Sequence, residues 1–322
     1  MIIVTGANGF IGSAFIWELN RSGEENLIAV DSVDLSERTD LLKNKRIKKF
    51  IKRDEIWHLL NSPEAQQIRF IVHMGACSST TEMNLEFLKE NNTDYTKRLW
   101  EWCSQNQVPL IFASSGAIYG DGLNGFSDQS DPNVFTALNP YGESKLAVDR
   151  WVVQQTQAPP RWYGLRFFNV YGPNEYHKGD MSSVVFKAVG QIQQNSELKL
   201  FKSHNAKYQD GKQMRDFVYV KDITRWMLEL MNNKIASGIY NMGNGVARTW
   251  LDLADATFKA MNVPVHIHWI EVPENLRARY QYFTEANMDK LLAAGLSKPQ
   301  WPLEKGIADY VKNYLLPANT IL

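Results

Sequence analysis

Cysteine is scarce in this chain of 322 residues, and neither sign of charge is in excess. Its two cysteines, Cys77 and Cys103, are too few for a disulfide framework. The six histidines form no zinc-like cluster, so we expect no metal. Lysine plus arginine and aspartate plus glutamate number 35 each, which gives no general attraction for a polyanion. Nucleic acid is therefore not an expected partner.

Long apolar runs are missing as well. No stretch approaches the length needed to cross a bilayer, so no membrane partner is expected. The opening run, Met1-Ile2-Ile3-Val4-Thr5-Gly6, is strand-like and lacks the basic and apolar regions of a signal peptide. We therefore expect a cytoplasmic protein. At this length the chain can bury the core of one large α/β unit or of two closely joined domains.

Short β-branched or apolar runs recur through the first half of the chain, separated by longer helix-compatible segments. The runs lie at 2–5, 27–30, 70–73, 110–113 and 163–168. This alternation predicts an α/β fold with a doubly wound parallel sheet. Beyond about residue 170 the pattern is less regular, and it predicts helices at 220–231 and 250–261.

A glycine-rich turn, Gly6-Ala7-Asn8-Gly9-Phe10-Ile11-Gly12, follows the first run directly and leads into a helix-compatible segment at 13–20. Gly6 permits the tight turn, Gly9 lets the backbone approach a phosphate, and Gly12 allows close packing of the helix. The N-terminus of that helix supplies amide donors for the pyrophosphate of a dinucleotide. The turn therefore predicts a dinucleotide site of the Rossmann type.

Two domains follow from these patterns. We predict an NAD(P)-binding Rossmann domain over 1–169 and a smaller α/β substrate-binding lobe mainly over 170–322, with an approximate boundary that leaves room for interleaved segments. Asp31, about 20 residues beyond the turn, is placed to bond the adenosine ribose, which favours NAD. Arg38, Lys52 and Arg53 are placed to reach a 2′-phosphate, which favours NADP, so the residues leave the choice of cofactor open.

A phenol and an ammonium share one helix face downstream. Tyr141 and Lys145 are four residues apart, the spacing that brings side chains together on a helix, and Pro140 is a favourable first-turn residue. A cation beside the phenol favours the phenolate, so we expect Lys145 to lower the pKa of Tyr141. Ser115 ends an apolar strand and is placed to bond a substrate oxygen. Together these residues predict a hydride-transfer site.

These motifs resemble those of the extended short-chain dehydrogenase/reductases, which modify nucleotide-linked sugars, and the resemblance covers the whole chain. The shared motifs are GxxGxxG at 6–12, Ser-Ser-x-x-x-Tyr-Gly at 114–120 and Tyr-x-x-x-Lys at 141–145. Further segments are similar to the branch of that superfamily that epimerises ADP-linked heptose at C6. They are Gly75-Ala76-Cys77-Ser78-Ser79-Thr80-Thr81, Phe168-Asn169-Val170-Tyr171-Gly172-Pro173, His177-Lys178-Gly179, Arg215-Asp216-Phe217-Val218-Tyr219-Val220 and Arg279-Tyr280-Gln281.

The resemblance implies an isomerase with bound NADP, NAD being the alternative, that acts on ADP-heptose and supplies the inner core of bacterial lipopolysaccharide. A homo-oligomer is expected. Inversion at a carbinol carbon requires hydride return to the opposite face of the carbonyl, so the oxygen is handled in two poses. The resemblance implies that Tyr141 serves one epimer and Lys178 the other, while Lys145 tunes the phenol and Ser115 positions the carbinol.

The same resemblance assigns the binding residues. Cofactor contacts are expected from Gly6, Gly9, Phe10, Ile11, Gly12, Asp31, Ser32, Arg38, Arg53, Met74, Gly75, Ala76, Cys77, Ser78, Asn91, Lys145, Val170 and Lys178. Substrate contacts are expected from Ser115, Asn169, Asp180, Lys187, Phe201, Lys202, Ser203, His204, Arg215 and Tyr280. Asp180 and Lys187 depart from the serine and histidine that the family often carries. The planar fork of Arg215 suits a diphosphate, and an ion pair with Asp216 is its alternative.

Three other functions fit part of this pattern. A sugar 4,6-dehydratase shares the fold, but that family usually carries an Asp-Glu pair where this chain has Gly116-Ala117. A nucleotide-hexose 4-epimerase keeps Ser115, Tyr141 and Lys145 but has no need of Lys178. A non-catalytic dinucleotide-binding regulator gains nothing from an intact serine, tyrosine and lysine, so it is the least favoured.

Overall fold

In the computed structural model, residues 1–38, 40–277 and 280–322 are described, without the side chains of residues 275 and 276. Arg279, part of one predicted motif, lies outside the described residues. The strands are β1 (Ile2–Thr5), β2 (Leu27–Asp31), β3 (Lys49–Lys52), β4 (Phe70–His73), β5 (Leu110–Ser115), β6 (Trp162–Phe167), β7 (Asn169–Tyr171), β8 (Leu198–Phe201), β9 (Met214–Tyr219), β10 (Gly238–Met242), β11 (Ala247–Thr249) and β12 (Ile267–Ile270).

Helices alternate with these strands along the chain. They are α1 (Phe10–Arg21), α2 (Ile56–Leu60), α3 (Leu85–Leu88), α4 (Tyr95–Gln105), α5 (Pro140–Val152), α6 (Val184–Asn195), α7 (Val220–Asn232), α8 (Trp250–Met261), α9 (Glu274–Arg277), α10 (Asp289–Ala293) and α11 (Leu303–Tyr310). A π-type segment, Lys89–Asp94, joins α3 to α4, and a 3₁₀ segment, Tyr176–Met181, precedes α6.

The central sheet has seven parallel strands in the order β10-β6-β5-β4-β1-β2-β3. Alternate residues of β1 enter two different cores. Ile2 and Val4 pack with Trp226 of α7 on one face, and Ile3 packs with Trp100 of α4 on the other. A parallel sheet covered by helices on both faces explains why these strands are apolar throughout. The predicted doubly wound α/β fold is confirmed.

Two smaller sheets build the second lobe. One has the order β11-β9-β7, and β12 pairs with β8 in the other. The chain also returns to the main sheet after residue 169, because β10 pairs with β6 and α7 packs in the same core as β1. Segments therefore interleave across the predicted boundary, and the division into 1–169 and 170–322 stays a prediction.

Neither a bilayer-spanning helix nor a metal cluster is present in the part of the chain that the structure describes. Its helices are too short or too polar to cross a membrane. Its histidine, cysteine, aspartate and glutamate side chains nowhere gather in threes to hold an ion.

Candidate active site

A cleft of about 790 Å³ opens where the strands of the main sheet end. Thr5 of β1, Asp31 of β2 and Ser115 of β5 lie in its wall, so the cleft occupies the carboxyl edge of the sheet, where such folds bind ligands. Every residue predicted to contact the cofactor lines this cleft. Tyr141 and Asn169 line it too. Residues that are far apart in the sequence therefore meet in one space.

The glycine turn is built for close backbone approach. Gly6 has φ of +63°, a left-handed conformation, and a Cβ there would lie 2.5 Å from the amide nitrogen of Gly75. A Cβ on Gly12 would lie 2.0 Å from the carbonyl oxygen of Gly6. Helix α1 then begins after Gly9, which has no side chain to cap it, and its first turn carries no acidic residue. The helix N-terminus is thus left open to an anion, which fits a dinucleotide pyrophosphate.

Two arginines stand near the end of β2. The carboxylate of Asp31 accepts backbone N–H bonds from Asn8 and Val33, both at 2.9 Å, which shapes the turn beside the ribose position. Arg38 donates through Nη1 to the carbonyl oxygen of Asn8 at 2.7 Å. Arg53 donates to Asn91, and its guanidinium lies 4.9 Å from the centroid of the Tyr95 ring. Both arginines line the cleft.

Ser115, Tyr141 and Lys145 meet where β5 ends and α5 begins. Asn139 caps α5 by accepting the Gly142 N–H at 2.8 Å, which sets Tyr141 in the first turn. Lys145 is buried, and its Nζ donates to the carbonyl oxygen of Ala113 at 3.0 Å. Burial lowers the pKa of Lys145 to about 8, and the charge of Asp149 opposes that shift. The fold therefore holds the predicted trio together.

The expected lowering of the Tyr141 pKa by Lys145 does not occur in this structure. Burial raises the pKa of the Tyr141 phenol above its ordinary value of 10.0, and hydrogen bonding with Ser115 opposes the rise only in part. The physical reason is that the phenol itself is desolvated by burial. The ammonium of Lys145 is also buried, and it donates to the carbonyl oxygen of Ala113 in β5. At neutral pH the phenol is in its acid form.

Lys178 enters the same cleft from another element. It lies in the 3₁₀ segment Tyr176–Met181, and its Nζ stands 5.3 Å from the ring centroid of Phe10, the first residue of α1. Burial lowers its pKa, the charge of Glu175 opposes this, and Lys187 adds to the lowering. A second titratable ammonium is thus placed in the cleft that holds Tyr141 and Lys145.

Arg215 is buried without a carboxylate partner among the described residues. Its guanidinium donates to the backbone carbonyls of Met214, at 2.9 Å, and Gln281, and it lies 5.8 and 5.4 Å from the ring centroids of Trp250 and Tyr280. The alternative ion pair with Asp216 does not form.

The Asp216 carboxylate instead accepts backbone N–H bonds from Asn244, Gly245 and Ala286 at 2.6 to 2.9 Å. Burying a cation without an anion is costly, so the Arg215 site is suited to an anionic ligand.

The other predicted substrate residues lie outside the wall of the main cleft. Lys187 donates to the backbone oxygen of Asp180 at 2.6 Å, and Phe201 makes an edge contact with Tyr280 at 6.3 Å. The rest fall in the loop after β8. There Lys202 pairs with Glu271 at 3.0 Å, the backbone N–H of Ser203 donates to the carboxylate of Asp210 at 2.7 Å, and His204 accepts the Val272 N–H at 3.1 Å. Their substrate roles stay predictions.

Three residues of the site were missed from the sequence. Trp250 and Gln281 line the cleft and also contact Arg215, so they join it to the main cleft. Asn92 is fully buried, bonds both backbone groups of Cys77 and donates to Ser144 Oγ of α5 at 3.0 Å. Asn92 gave no signal, because its role arises from the π-type turn that joins α3 to α4. Gln281 belongs to the motif Arg279-Tyr280-Gln281, but only Tyr280 of that motif was predicted to contact the substrate.

A doubly wound parallel sheet with a glycine turn, a dinucleotide cleft and an acid/base trio defines a dinucleotide-dependent enzyme of the Rossmann class. The model of the NAD dependent epimerase/dehydratase family matches residues 2–243. The chain belongs to this family, which confirms the resemblance seen in its motifs, and its cofactor is a nicotinamide dinucleotide.

Named relatives resemble the chain over its whole length. An ADP-L-glycero-D-manno-heptose-6-epimerase from Fusobacterium nucleatum is 43% identical, with 100% of both chains covered. One from Nitratidesulfovibrio vulgaris is 46% identical, again with 100% of both covered. Among solved structures, the Helicobacter pylori ADP-L-glycero-D-manno-heptose-6-epimerase is 25% identical with a TM-score of 0.79, covering 97% of this chain and 95% of that one.

Proposed function

We propose that this chain is an isomerase that interconverts ADP-D-glycero-D-manno-heptose and ADP-L-glycero-D-manno-heptose at C6. The observation that carries the proposal is the presence of Lys178 in the cleft that also holds Tyr141 and Lys145. An epimerase must handle one oxygen in two poses, and this cleft offers two separate proton-transfer groups. The full-length relatives of that name, at 43% and 46% identity, support the substrate.

NADP is the proposed cofactor. Arg38 and Arg53 both line the cleft beyond β2, where the adenosine ribose of a dinucleotide lies in this fold. A 2′-phosphate there meets two guanidinium groups, which bind phosphate strongly. NAD is the alternative, because Asp31 stands at the end of β2 and is suited to a free ribose hydroxyl.

The residues around the carbinol have separate roles in the proposed reaction. A bound nicotinamide supplies hydride removal at C6 and hydride return to the opposite face of the carbonyl. Ser115 holds the C6 oxygen by a hydrogen bond, and Tyr141 gives or takes its proton in one pose. Lys178 does so in the other pose, and its pKa, lowered by burial, brings its two protonation states closer to neutral pH. The Lys145 ammonium is positively charged below about pH 8, and its charge stabilises the site formed with Ser115 and Tyr141.

Substrate binding is assigned to the second lobe. Arg215 neutralises the diphosphate of the sugar nucleotide, and Trp250 and Tyr280 shape the space beside it. Because C6 of a heptose lies outside the sugar ring, the exocyclic carbon can rotate between the two steps while the diphosphate stays bound. The product would feed the synthesis of the lipopolysaccharide inner core. The homo-oligomer and the cytoplasmic location stay predictions.

A nucleotide-hexose 4-epimerase is the second candidate. Such an enzyme uses Ser115, Tyr141 and Lys145 in the same way, but its reaction requires no proton transfer by Lys178, which lines the cleft. A 4,6-dehydratase is less favoured, since Gly116 and Ala117 provide no acid or base after Ser115.

An assay with matched substrates tests the proposal. Purified protein is incubated with ADP-D-glycero-D-manno-heptose, and in parallel with UDP-glucose, and the configuration at C6 or C4 is followed by NMR. We expect interconversion at C6 of the heptose and no reaction of the hexose. Epimerisation of UDP-glucose with an inert heptose would establish the second candidate instead.

A further inference from the structure

Glu175 is a fully buried carboxylate that plays no part in the mechanism described so far. It lies three residues before Lys178, behind the wall of the cleft, and it is absent from the cleft lining. The segment 172–183, here called the Lys178 loop, runs from the end of β7 to the cap of α6. A buried carboxylate is costly unless it is well bonded, so its place in this loop requires a reason.

Three hydrogen bonds close the Lys178 loop onto Glu175. Oε1 accepts the Gly172 N–H at 3.2 Å and the Ser183 hydroxyl at 2.6 Å, and Oε2 accepts the Ser183 N–H at 2.6 Å. One carboxylate thereby joins the first and last residues of the loop. The backbone N–H of Lys178 also donates to the carbonyl oxygen of Glu175 at 3.0 Å. The position of Lys178 thus depends on both the side chain and the backbone of Glu175.

The closed loop is then attached to the helix of the glycine turn. Asn174, left-handed at φ of 81° and fully buried, donates to Ser13 Oγ of α1 at 3.0 Å. Its Oδ1 accepts the Leu322 N–H at 3.0 Å, and the Tyr176 hydroxyl donates to the Thr320 carbonyl at 2.6 Å. These contacts attach the Lys178 loop to α1, which begins at Phe10, the residue whose ring lies 5.3 Å from the Lys178 ammonium.

We propose that Glu175 is a positioning residue for Lys178: its carboxylate closes the loop that carries the ammonium and places a negative charge in the same buried segment. The inference rests on the proposed function, in which Lys178 transfers a proton. Glu175 is not among the residues that line the cleft, so it acts through the loop that carries Lys178.

The charges around the pair agree with this role. Burial raises the pKa of Glu175, and the bonds from Ser183 and Gly172 and the charge of Lys178 oppose that rise. For Lys178, the charge of Glu175 opposes the lowering of its pKa by burial. The other titratable groups that face the pair are Tyr310 of α11, Tyr176 and His177 of the loop, and Lys187 of α6. Removing the carboxylate therefore leaves Lys187 as the main remaining charge, and the pKa of Lys178 falls.

Glu175→Gln tests the proposal by a readout that does not depend on turnover. Acetic anhydride labels only the uncharged amine, so the rate of Lys178 acetylation against pH, read by peptide mass spectrometry on the full chain, gives its titration midpoint. We expect Glu175→Gln to move that midpoint down by about one pH unit. The turnover number should fall about tenfold or more, with KM changed less than about twofold.

Two further variants separate positioning from general damage. Asp222→Asn alters another buried acid, which accepts the backbone N–H groups of Gln300 and Trp301. This variant should lower the melting temperature while the Lys178 midpoint and turnover stay unchanged.

Glu175→Asp keeps the negative charge but has a shorter side chain. Glu175→Asp should keep the titration midpoint of Lys178 near the wild-type value and still lower turnover. It also provides the test of the proposal if Glu175→Gln does not fold.

A wild-type midpoint in folded Glu175→Gln, or wild-type turnover in Glu175→Asp, overturns the proposal. A protein that shows the midpoint shift but acts on no heptose would contradict the proposed function and leave the link between Glu175 and Lys178 standing.

Discussion

Proton transfer in the proposed reaction is divided between Tyr141 and Lys178, which reach one cleft from α5 and from the Lys178 loop. Replacing either group leaves one pose of the carbinol without its acid/base partner. We expect Tyr141→Phe and Lys178→Met each to lower turnover by about 10²- to 10⁴-fold. Cofactor binding, measured by fluorescence titration, should stay within a few-fold of wild type. Near-normal turnover in Lys178→Met would refute the two-group account.

Arg215 has a buried guanidinium that lacks a carboxylate partner among the residues described, so we expect it to bind the diphosphate. With NADP saturating, Arg215→Met should weaken ADP binding about 10- to 100-fold by calorimetry, since a charge-assisted bond to phosphate is lost. Arg21→Met removes an exposed guanidinium of α1 and serves as the matched control, with no expected change. Equal affinity in both variants would place the diphosphate elsewhere.

Residues with a motif around them were predictable from the sequence, and residues placed only by tertiary packing were not. Gly6, Tyr141 and Lys178 stand in short patterns whose neighbours narrow their role, and the structure brings all three to one cleft. Asn92 and Trp250 act through contacts with partners far away in the chain. The direction of the pKa shift of Tyr141 also depends on burial of the phenol, and the four-residue spacing to Lys145 in the sequence does not reveal that burial.

Among the elements, the turn between β1 and α1 has the tightest backbone. Gly12→Ala would place a Cβ 2.0 Å from the Gly6 carbonyl oxygen, so the turn must open and the first amides of α1 move. We expect cofactor affinity to fall at least about tenfold, a loss of about 1.4 kcal/mol or more.

Gly190→Ala is the matched control. Gly190 lies within α6, where a Cβ meets nothing within 4 Å. Removing a helical glycine should stabilise the protein by about 0.5–1 kcal/mol and leave cofactor binding unchanged. Unaltered cofactor affinity in Gly12→Ala would contradict the assignment of the turn.

Element boundaries in the first half of the chain were predictable because strands buried on both faces are short continuous apolar runs. The runs at 2–5 and 70–73 coincide with β1 and β4, and the helix at 250–261 coincides with α8. The sequence did not reveal that β10 rejoins the main sheet. Its residues, Gly-Ile-Tyr-Asn-Met, have ordinary strand character, and only the pairing with β6 decides which sheet they enter.

At the scale of the whole molecule, the sheet buries a histidine that must stay neutral. His73 of β4 is hydrogen-bonded to Thr5 at 2.6 Å and to Thr96 at 3.0 Å. Its pKa is lowered to about 3, mainly by burial and to a lesser extent by the positive charges of Lys145 and Arg53. The unfolded chain binds a proton near pH 6.5, so this contribution to stability is complete above that pH and is lost as pH falls toward 3.

We expect His73 to add up to about 1.4 kcal/mol per pH unit to the loss of unfolding free energy between pH 6 and pH 4. Urea titrations at several pH values measure this slope. His73→Gln should have a shallower slope than wild type, whereas His58→Gln, which alters an exposed histidine of α2, should match wild type. Identical slopes in all three proteins would show that His73 is protonated in the fold.

The central claim for the whole enzyme is that one cleft removes a hydride from C6 and returns it to the other face. Incubating the protein with ADP-D-glycero-D-manno-heptose in deuterium oxide and reading C6 by NMR tests this directly. The account predicts the mixture of both C6 epimers with no deuterium at C6, because the same hydrogen leaves and returns by way of the bound cofactor. Absence of the second epimer, or deuterium at C6 of the product, would contradict it.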